Sequence, residues 1–428
     1  MISRLFALLT ELLLKLYQMN YRIVKITTYY KDFLSYYYER FPEVVSQSFD
    51  QQYAHLMQQR FAWSDAYAQA FMQQGNQASE IVANAMTLQN QWCEENNFKA
   101  TDSNSILIAQ LKQLQPDVVW FQDSYSYNGE FINKLKALIP TIKIAIGNCC
   151  SPISSKYYSD FKAFDFITVC APYFKNLLEK KGLPECLIIP HAFDKRILKR
   201  VPAEAKQHDF LFSGSIILDQ RFHEERIQLL ENLVKAGVDI NLLVNLNQNA
   251  SKHLLVKQMA FFASKCLNKI GLSSVNKTIK PLQKVNRLDY MPSASKVSKA
   301  LAQQIKSPVF GIDMFKEMAL SKIAFNIHGD IAANFAANMR MYEATGAGTC
   351  LLTDWKPDIN DYFTDGEEII TYRNLDEATQ KIKWLLSEPQ ELKKITEAGQ
   401  RRTLNDHTFE KRAEMIDRKI KSLLFNLA

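Results

Sequence analysis

The stretch NIHGDIAANFAANMRMYEATGAGTCLLTD, residues 326–354, decides how the second half of this chain folds. An apolar run at 323–327 leads into a loop holding His328, Gly329 and Asp330, and a helical pattern follows at 336–344. Gly346 and Gly348 then precede a second apolar run at 350–353. Strand, loop, helix, glycines, strand is the order of a parallel βαβ unit. Ligands of such sheets bind beyond the carboxyl ends of the strands, where the amides that open a helix are free. His328, Gly329 and Asp330 are therefore candidates to meet a phosphate or a sugar. Asn334 and Asn338 are four apart, on one face of the expected helix. Arg340 offers a cation to a phosphate, and Glu343, late in that helix, offers a carboxylate to ribose or sugar hydroxyls. Thr345 and Gly346 close the segment. Each residue also has a plainer reading: a helix cap for Asn334, a helix surface for Arg340 and Glu343.

Outward from this unit the same rhythm recurs. In the second half, strands are expected at 209–212, 238–244 and 369–372, with helices at 221–236, 309–318, 376–386, 390–400 and 409–424. Ser213, Gly214 and Ser215 read as a small-residue turn after the first of these strands, open to a diphosphate or simply a tight turn. In the first half, strands are expected at 21–28, 117–122, 142–146, 166–170 and 186–189. Residues 29–98 read as helical throughout, a long insertion after the first strand. His191 follows the last strand of this half, placed either for catalysis or for a structural hydrogen bond. The charged link DKRILKRVPAEAK, 194–206, suits a boundary between cores. The expected units are an amphipathic helix at 1–20, a Rossmann-like domain at 21–200, a second at 201–405, and a closing helix at 406–428 that returns to the first. The fold class is α/β, two parallel-sheet domains facing across a cleft.

Bulk properties fit this reading. The 428 residues suit two domains of about 200. A net charge of +7 favours an anionic ligand or membrane surface but, without a zinc-finger spacing or an Arg-rich arm, does not point to nucleic acid. Seven cysteines, an odd number without a CxxC pair, read as free thiols in a reducing compartment, and no metal site is expected among them. The apolar run at 5–16 is too short to span a bilayer; it reads as a packed helix or as a monotopic contact through 3–19. HExxH, GxSxG and GxxxxGK do not occur.

Four stretches, PHAFD at 190–194, DFLFSGS at 209–215, MRMYEATGAG at 339–348 and HTFEKRAEMI at 407–416, resemble the glycosyltransferases related to the CgeB spore maturation protein. Those are relatives of the retaining family-four enzymes of the GT-B type. ITTYYKDFLSYYYERFP, WSDAYAQAF and EIVANA are similar to the amino-terminal region of that group. The resemblance implies Glu343 opposite a nucleotide ribose, Ser213–Ser215 at the donor diphosphate, and the loop 328–334 before the donor helix. It departs where family-four enzymes carry a second Glu, eight positions earlier; Phe335 stands there. Arg221 and Arg226 are candidates for the usual basic pair.

The expected activity is transfer of a sugar from a nucleotide diphosphate sugar to a hydroxyl acceptor, a glycan, lipid-linked sugar or protein. His191, Asp330 and Asn334 are the catalytic candidates. Ser213, Gly214, Ser215, His328, Gly329, Asn338, Arg340, Glu343, Thr345 and Gly346 are the donor-binding candidates. No cofactor and no obligatory metal are expected, since no DxD-like pair stands out. The expected place is the cytoplasm, at the inner face of the membrane if 3–19 binds it. The alternatives are a nucleotide-sugar epimerase and a noncatalytic glycan-binding or assembly protein, the latter favoured by Phe335.

Overall fold

A computed structural model describes residues 20–427 apart from 152, 202–204, 218–220, 248–253, 287–290, 292–296 and 329–331. The helix expected at 3–19, and the candidates Gly329 and Asp330, lie outside the described residues.

The first half holds β1 (Arg22–Thr27), α1 (Lys31–Arg40), α2 (Phe49–Gln58), α3 (Ala66–Gln73), β2 (Gln77–Val82), α4 (Met86–Glu95) and α5 (Ser103–Leu114). It continues with β3 (Val118–Phe121), α6 (Gly129–Leu138), β4 (Ile144–Cys149), α7 (Tyr158–Phe161), β5 (Phe166–Val169), α8 (Pro172–Glu179) and β6 (Cys186–Ile188). Its sheet has the order β2-β1-β3-β4-β5-β6, parallel throughout. The inner strands are buried along their length, which is why they read as unbroken apolar runs.

One expectation fails here. Residues 77–82 are not helical but form the edge strand β2. Glu80 sits in the strand opposite Lys25 of β1, and their side chains pair at 2.5 Å, both buried. A carboxylate inside an otherwise half-apolar strand hides its identity, because the residue that ought to be apolar is charged and paired instead. The insertion is thus α1, α2 and α3, followed by a strand of the sheet itself.

The second half holds β7 (His208–Ile217), α9 (Arg221–Lys235), β8 (Ile240–Asn247), α10 (Leu254–Lys269), α11 (Lys280–Val285), α12 (Lys299–Gln304), β9 (Ile305–Lys306), α13 (Ile312–Ala319) and β10 (Ser321–Asn326). After it come α14 (Arg340–Gly346), β11 (Cys350–Asp354), β12 (Ile370–Tyr372), α15 (Leu375–Ser387), α16 (Pro389–Asp406) and α17 (Phe409–Leu427). This sheet is also parallel, in the order β12-β11-β10-β7-β8-β9.

Two further expectations are corrected. Ser213, Gly214 and Ser215 do not form a turn: β7 runs through them, paired with Leu243, Val244 and Asn245 of β8. The run of small residues interrupts the apolar pattern without ending the strand. The helix expected at 336–344 begins only at Arg340, so Glu343 lies in its first turn rather than late in it. Upstream, Asn338 turns its side-chain amide onto Asn326 Oδ1 (2.8 Å) and the Ile327 carbonyl (3.0 Å). The Ala336 amide is taken by Asp358 (2.9 Å). These side-chain bonds hold 336–339 outside a helix, and Asn334 and Asn338 share no helical face.

The last helix crosses back. Phe409, Ala413, Ile416, Ile420 and Leu424 of α17 recur at helical spacing and pack with Tyr67, Phe71 and Trp120 of the first half. Asp417 accepts from Tyr21 Oη (2.9 Å) and Asn76 (3.0 Å).

Candidate functional site

The two halves meet over a small recess. From the first half and the link it is lined by Arg60, Trp63 and Asp194; from the second, by Phe315, Met339 and Glu343. The loop between α2 and α3 supplies the first wall under strain. Arg60, Ala62 and Ser64 have φ of 53°, 52° and 44°, in the left-handed region that non-glycine residues avoid at about 1 kcal/mol or more each. A salt-bridge network holds the loop. Asp65 accepts from Arg60 (2.8 Å) and Arg196 (2.8 Å), and Arg196 also grips Asp194 (2.7 Å). Arg60 Nε is buried and has no hydrogen-bond partner.

On the opposite wall stands Glu343, which pairs with Arg340 at 3.0 Å within the first turn of α14. Arg340 also donates to the Ser213 carbonyl (3.2 Å), and Arg226 of α9 donates to the carbonyls of Ser215 (3.1 Å) and Ile327 (3.3 Å). Two guanidinium groups thus converge on the later part of β7 and the end of β10. Burial pushes Arg226 down to about 10, with Arg340 adding repulsion against the attraction of Tyr372 and Asp354. An anion placed between them would relieve that desolvation.

The other candidates separate into groups. His328 is buried; its Nδ1 lies 2.8 Å from Asp354 Oδ1, and its Nε2 faces Met341 Sδ at 3.1 Å. Both ring nitrogens are engaged inside the domain, so His328 orients the strand-end carboxylate. Burial alone would raise the Asp354 carboxyl, but hydrogen bonds from His328 and the nearby His328 and Lys356 charges hold it below its ordinary value. Thr345 is buried against Met341 O and Thr403 Oγ1, both at 2.6 Å. Gly346 serves packing: a Cβ there would lie 2.3 Å from the Phe193 ring. Neither Thr345 nor Gly346 reaches the recess. Asn334 is exposed. His191 is buried beside Trp63, with ring centroids 6.1 Å apart. Phe335 and Ala332 pack on the core of the first half, so the position of the missing Glu serves as a contact between the halves.

Arg60, Trp63 and Asp194 were not singled out from sequence as site residues, although WSDAY and PHAFD contain two of them. The signal that identifies them is three-dimensional, a strained loop brought against a remote helix.

A protein-family model described as glycosyl transferase-like matches residues 283–418. Three solved structures align along almost the whole chain. A glycosyltransferase from Rickettsia africae is 12% identical, covers 95% of this chain and 99% of its own, and has a TM-score of 0.51. HepE of Anabaena, in complex with UDP-glucose, is 9% identical, with coverage of 94% and 100% and a TM-score of 0.53. AviGT4, a glycosyltransferase of avilamycin A biosynthesis, is 10% identical, with coverage of 95% and 98% and a TM-score of 0.50. The fold is GT-B. No curated protein sequence matches the chain. In this GT-B frame the recess lies between the two Rossmann-like halves, with Arg226, Arg340 and Glu343 on the carboxyl-terminal one. No helix among the described residues is long and apolar enough to cross a membrane.

Proposed function

We propose that the protein transfers a sugar from a nucleotide diphosphate sugar to a hydroxyl acceptor. One observation carries this reading: Glu343 of the second half lines the recess opposite Arg60 and Trp63 of the first, with Arg340 paired to it and Arg226 bonded to the carbonyls of Ser215 and Ile327 in the same half. Glu343 accepts the vicinal ribose hydroxyls. Arg340 and Arg226 take the diphosphate and stabilise it as the leaving group, with no obligatory metal. The acceptor enters from the side of Trp63, Arg60 and His191, and closure of the halves aligns it and excludes water. The glycosyl transferase-like match at 283–418 and the nucleotide-sugar complex of HepE support the same class.

Phe335 supports a second reading, a noncatalytic glycan-binding or assembly protein, because its ring bridges the halves where a sugar-holding carboxylate would otherwise stand. A thermal-shift panel of nucleoside diphosphates and nucleotide sugars, followed by assay of donor turnover, separates the two. The transferase reading requires stabilisation by at least one nucleotide sugar and slow release of nucleoside diphosphate from it. Binding without any turnover would leave the second reading standing; no shift with any nucleotide would remove the donor site.

A further inference from the structure

Away from the donor-binding residues, three groups with metal-binding atoms meet at the carboxyl ends of three neighbouring strands. Asn148 pairs with Thr168 and Cys149 with Val169, so Cys150 and Cys170 are the next residues beyond the paired ends of β4 and β5. His191 lies three residues beyond β6, the next strand in the sheet. The ligand atoms of Cys150, Cys170 and His191 all lie within 4.8 Å of one another. Cys170 and His191 are buried, and Cys150 is half-buried. His191 Nδ1 is buried without a hydrogen-bond partner, which is costly unless something occupies that side. The backbone that carries His191 is held from behind, its carbonyl accepting from Arg412 of α17 at 3.3 Å.

We infer that Cys150, Cys170 and His191 form a site for a soft metal ion of the zinc type, with an open fourth position. Two thiolates and a neutral imidazole are ligands that zinc favours, and three protein ligands with one open place is a known zinc arrangement. Tetrahedral zinc needs sulfur atoms about 3.8 Å apart, so the groups close by up to about 1 Å on binding. The metal displaces two thiol protons to solvent, and the resulting cluster is neutral, which suits a buried place. Without metal, the Cys150 thiol is held well above its ordinary range by its hydrogen bond with Cys170 and by burial. The ion would fix the segment 190–194, whose Ala192, Phe193 and Asp194 line the recess; its role is positioning.

The test is cobalt(II) titration of the reduced, chelator-treated full chain. The expected result is a thiolate-to-cobalt charge-transfer band that saturates at one equivalent and is abolished by one equivalent of zinc. Cys150→Ser and Cys170→Ser should each lose it, whereas Cys266→Ser, which changes an exposed thiol outside the cluster, should keep it. No band in the native chain overturns the site whether or not the variants fold. A band that survives Cys150→Ser also overturns it, as does a Cys150–Cys170 disulfide that forms in preference to metal binding.

A second surface stands on separate observations. α10 turns Phe261 and Ser264 inward, where Asn276 and Asn286 bond to Ser264, and leaves its apolar stripe in solvent. Leu255 (75% exposed), Met259 (71%), Phe262 (59%) and Ile270 (66%) recur at helical spacing. From 254 to 286 the sequence holds Lys257, Lys265, Lys269, Lys277, Lys280 and Lys284 and no acidic residue. We propose that this element docks on an anionic lipid surface, apolar stripe inserted and the exposed Lys269 and Lys280 at the headgroups. A second copy of the chain is a poor occupant, since two such faces would repel.

Co-sedimentation with phosphatidylglycerol-containing vesicles should show salt-sensitive binding that is absent on pure phosphatidylcholine. Met259→Ser/Phe262→Ser and Lys269→Glu/Lys280→Glu, all at exposed positions, should each weaken it by about tenfold or more. Unchanged binding by both variants, or no binding by the native chain, overturns the proposal. So does a dimer in sedimentation velocity that Met259→Ser/Phe262→Ser dissolves.

Discussion

Glu343 is buried, yet it lines the recess, and its partner Arg340 also holds the Ser213 carbonyl. A carboxylate so fixed is ready to accept two hydrogen bonds, at small entropic cost, from a ribose that enters the recess. Its removal leaves those hydroxyls unpaired once the halves close, at about 2–4 kcal/mol. Glu343→Ala should therefore remain folded, bind nucleoside diphosphates more weakly, and lose the preference for ribo- over 2′-deoxynucleotides. Calorimetric titration of both ligand types into both proteins checks this; equal affinities and equal ratios would place the ribose elsewhere. Arg226 provides a contrast: Arg226→Gln should weaken diphosphate binding while keeping the ribo/deoxy ratio, because its guanidinium stands on the later part of β7 and the end of β10. The place of Glu343 beside the recess was legible in the sequence, since a Gly-closed helix between two apolar runs marks where to look. Arg60 was not, because nothing local shows that residues 60 and 343 meet.

At the scale of elements, what the sequence hid was hidden by polar side chains with unseen partners. β2 reads as helix because Glu80 occupies a strand position that only Lys25 of β1 makes tolerable. Burial pushes the Glu80 carboxyl up to about 8 against the pull of Lys25, while Lys25, stripped of water, falls below its ordinary value. Removing one partner leaves the other buried alone: Lys25→Met should cost about 3–5 kcal/mol, and Lys25→Met/Glu80→Leu should recover most of it. Urea unfolding of the single and double variants measures both; a double variant no better than the single would mean that the pair also sets the register of β2. The start of α14 was obscured in the same way, by Asn338 and Asp358 bonding to backbone that a helix would otherwise claim. Its end was read correctly as glycine but for a different use. Gly346 admits the Phe193 ring, so Gly346→Ala should cost about 1–3 kcal/mol through overpacking, and less in a Phe193→Leu background where the ring is gone. A double-mutant cycle without that coupling would show that the contact is not what limits residue 346.

Across the whole molecule, the halves are tied by the chain's last crossing as well as by the recess. His407 precedes α17, with Nε2 2.9 Å from the Tyr362 carbonyl of the second half and Nδ1 2.8 Å from Arg412. Arg412 in turn donates to the Pro190 carbonyl at the end of the first sheet (2.9 Å). The ring must be neutral for this: Nε2–H donates to the carbonyl, and Nδ1 accepts from the guanidinium. Burial therefore pushes His407 down to about 4, with the Arg412 and Arg402 charges adding to it against the favourable carbonyl bond. The unfolded chain carries this histidine at about 6.5. Between those values the unfolded state binds a proton that the folded state refuses, so stability is complete above about pH 6.5 and falls as the pH drops toward 4. From about pH 7.5 to about pH 5 the loss from this one group is about 2 kcal/mol. Urea midpoints at the two pH values should show that loss in the native chain and a smaller one in His407→Gln, whose amide cannot take up a proton. Because the bonds join the two halves, the same acidification should also loosen α17, so its amides should exchange faster at pH 5 relative to those of β3 after correction for intrinsic rates. If His407→Gln retains the full pH dependence, the crossing is not the element that titrates.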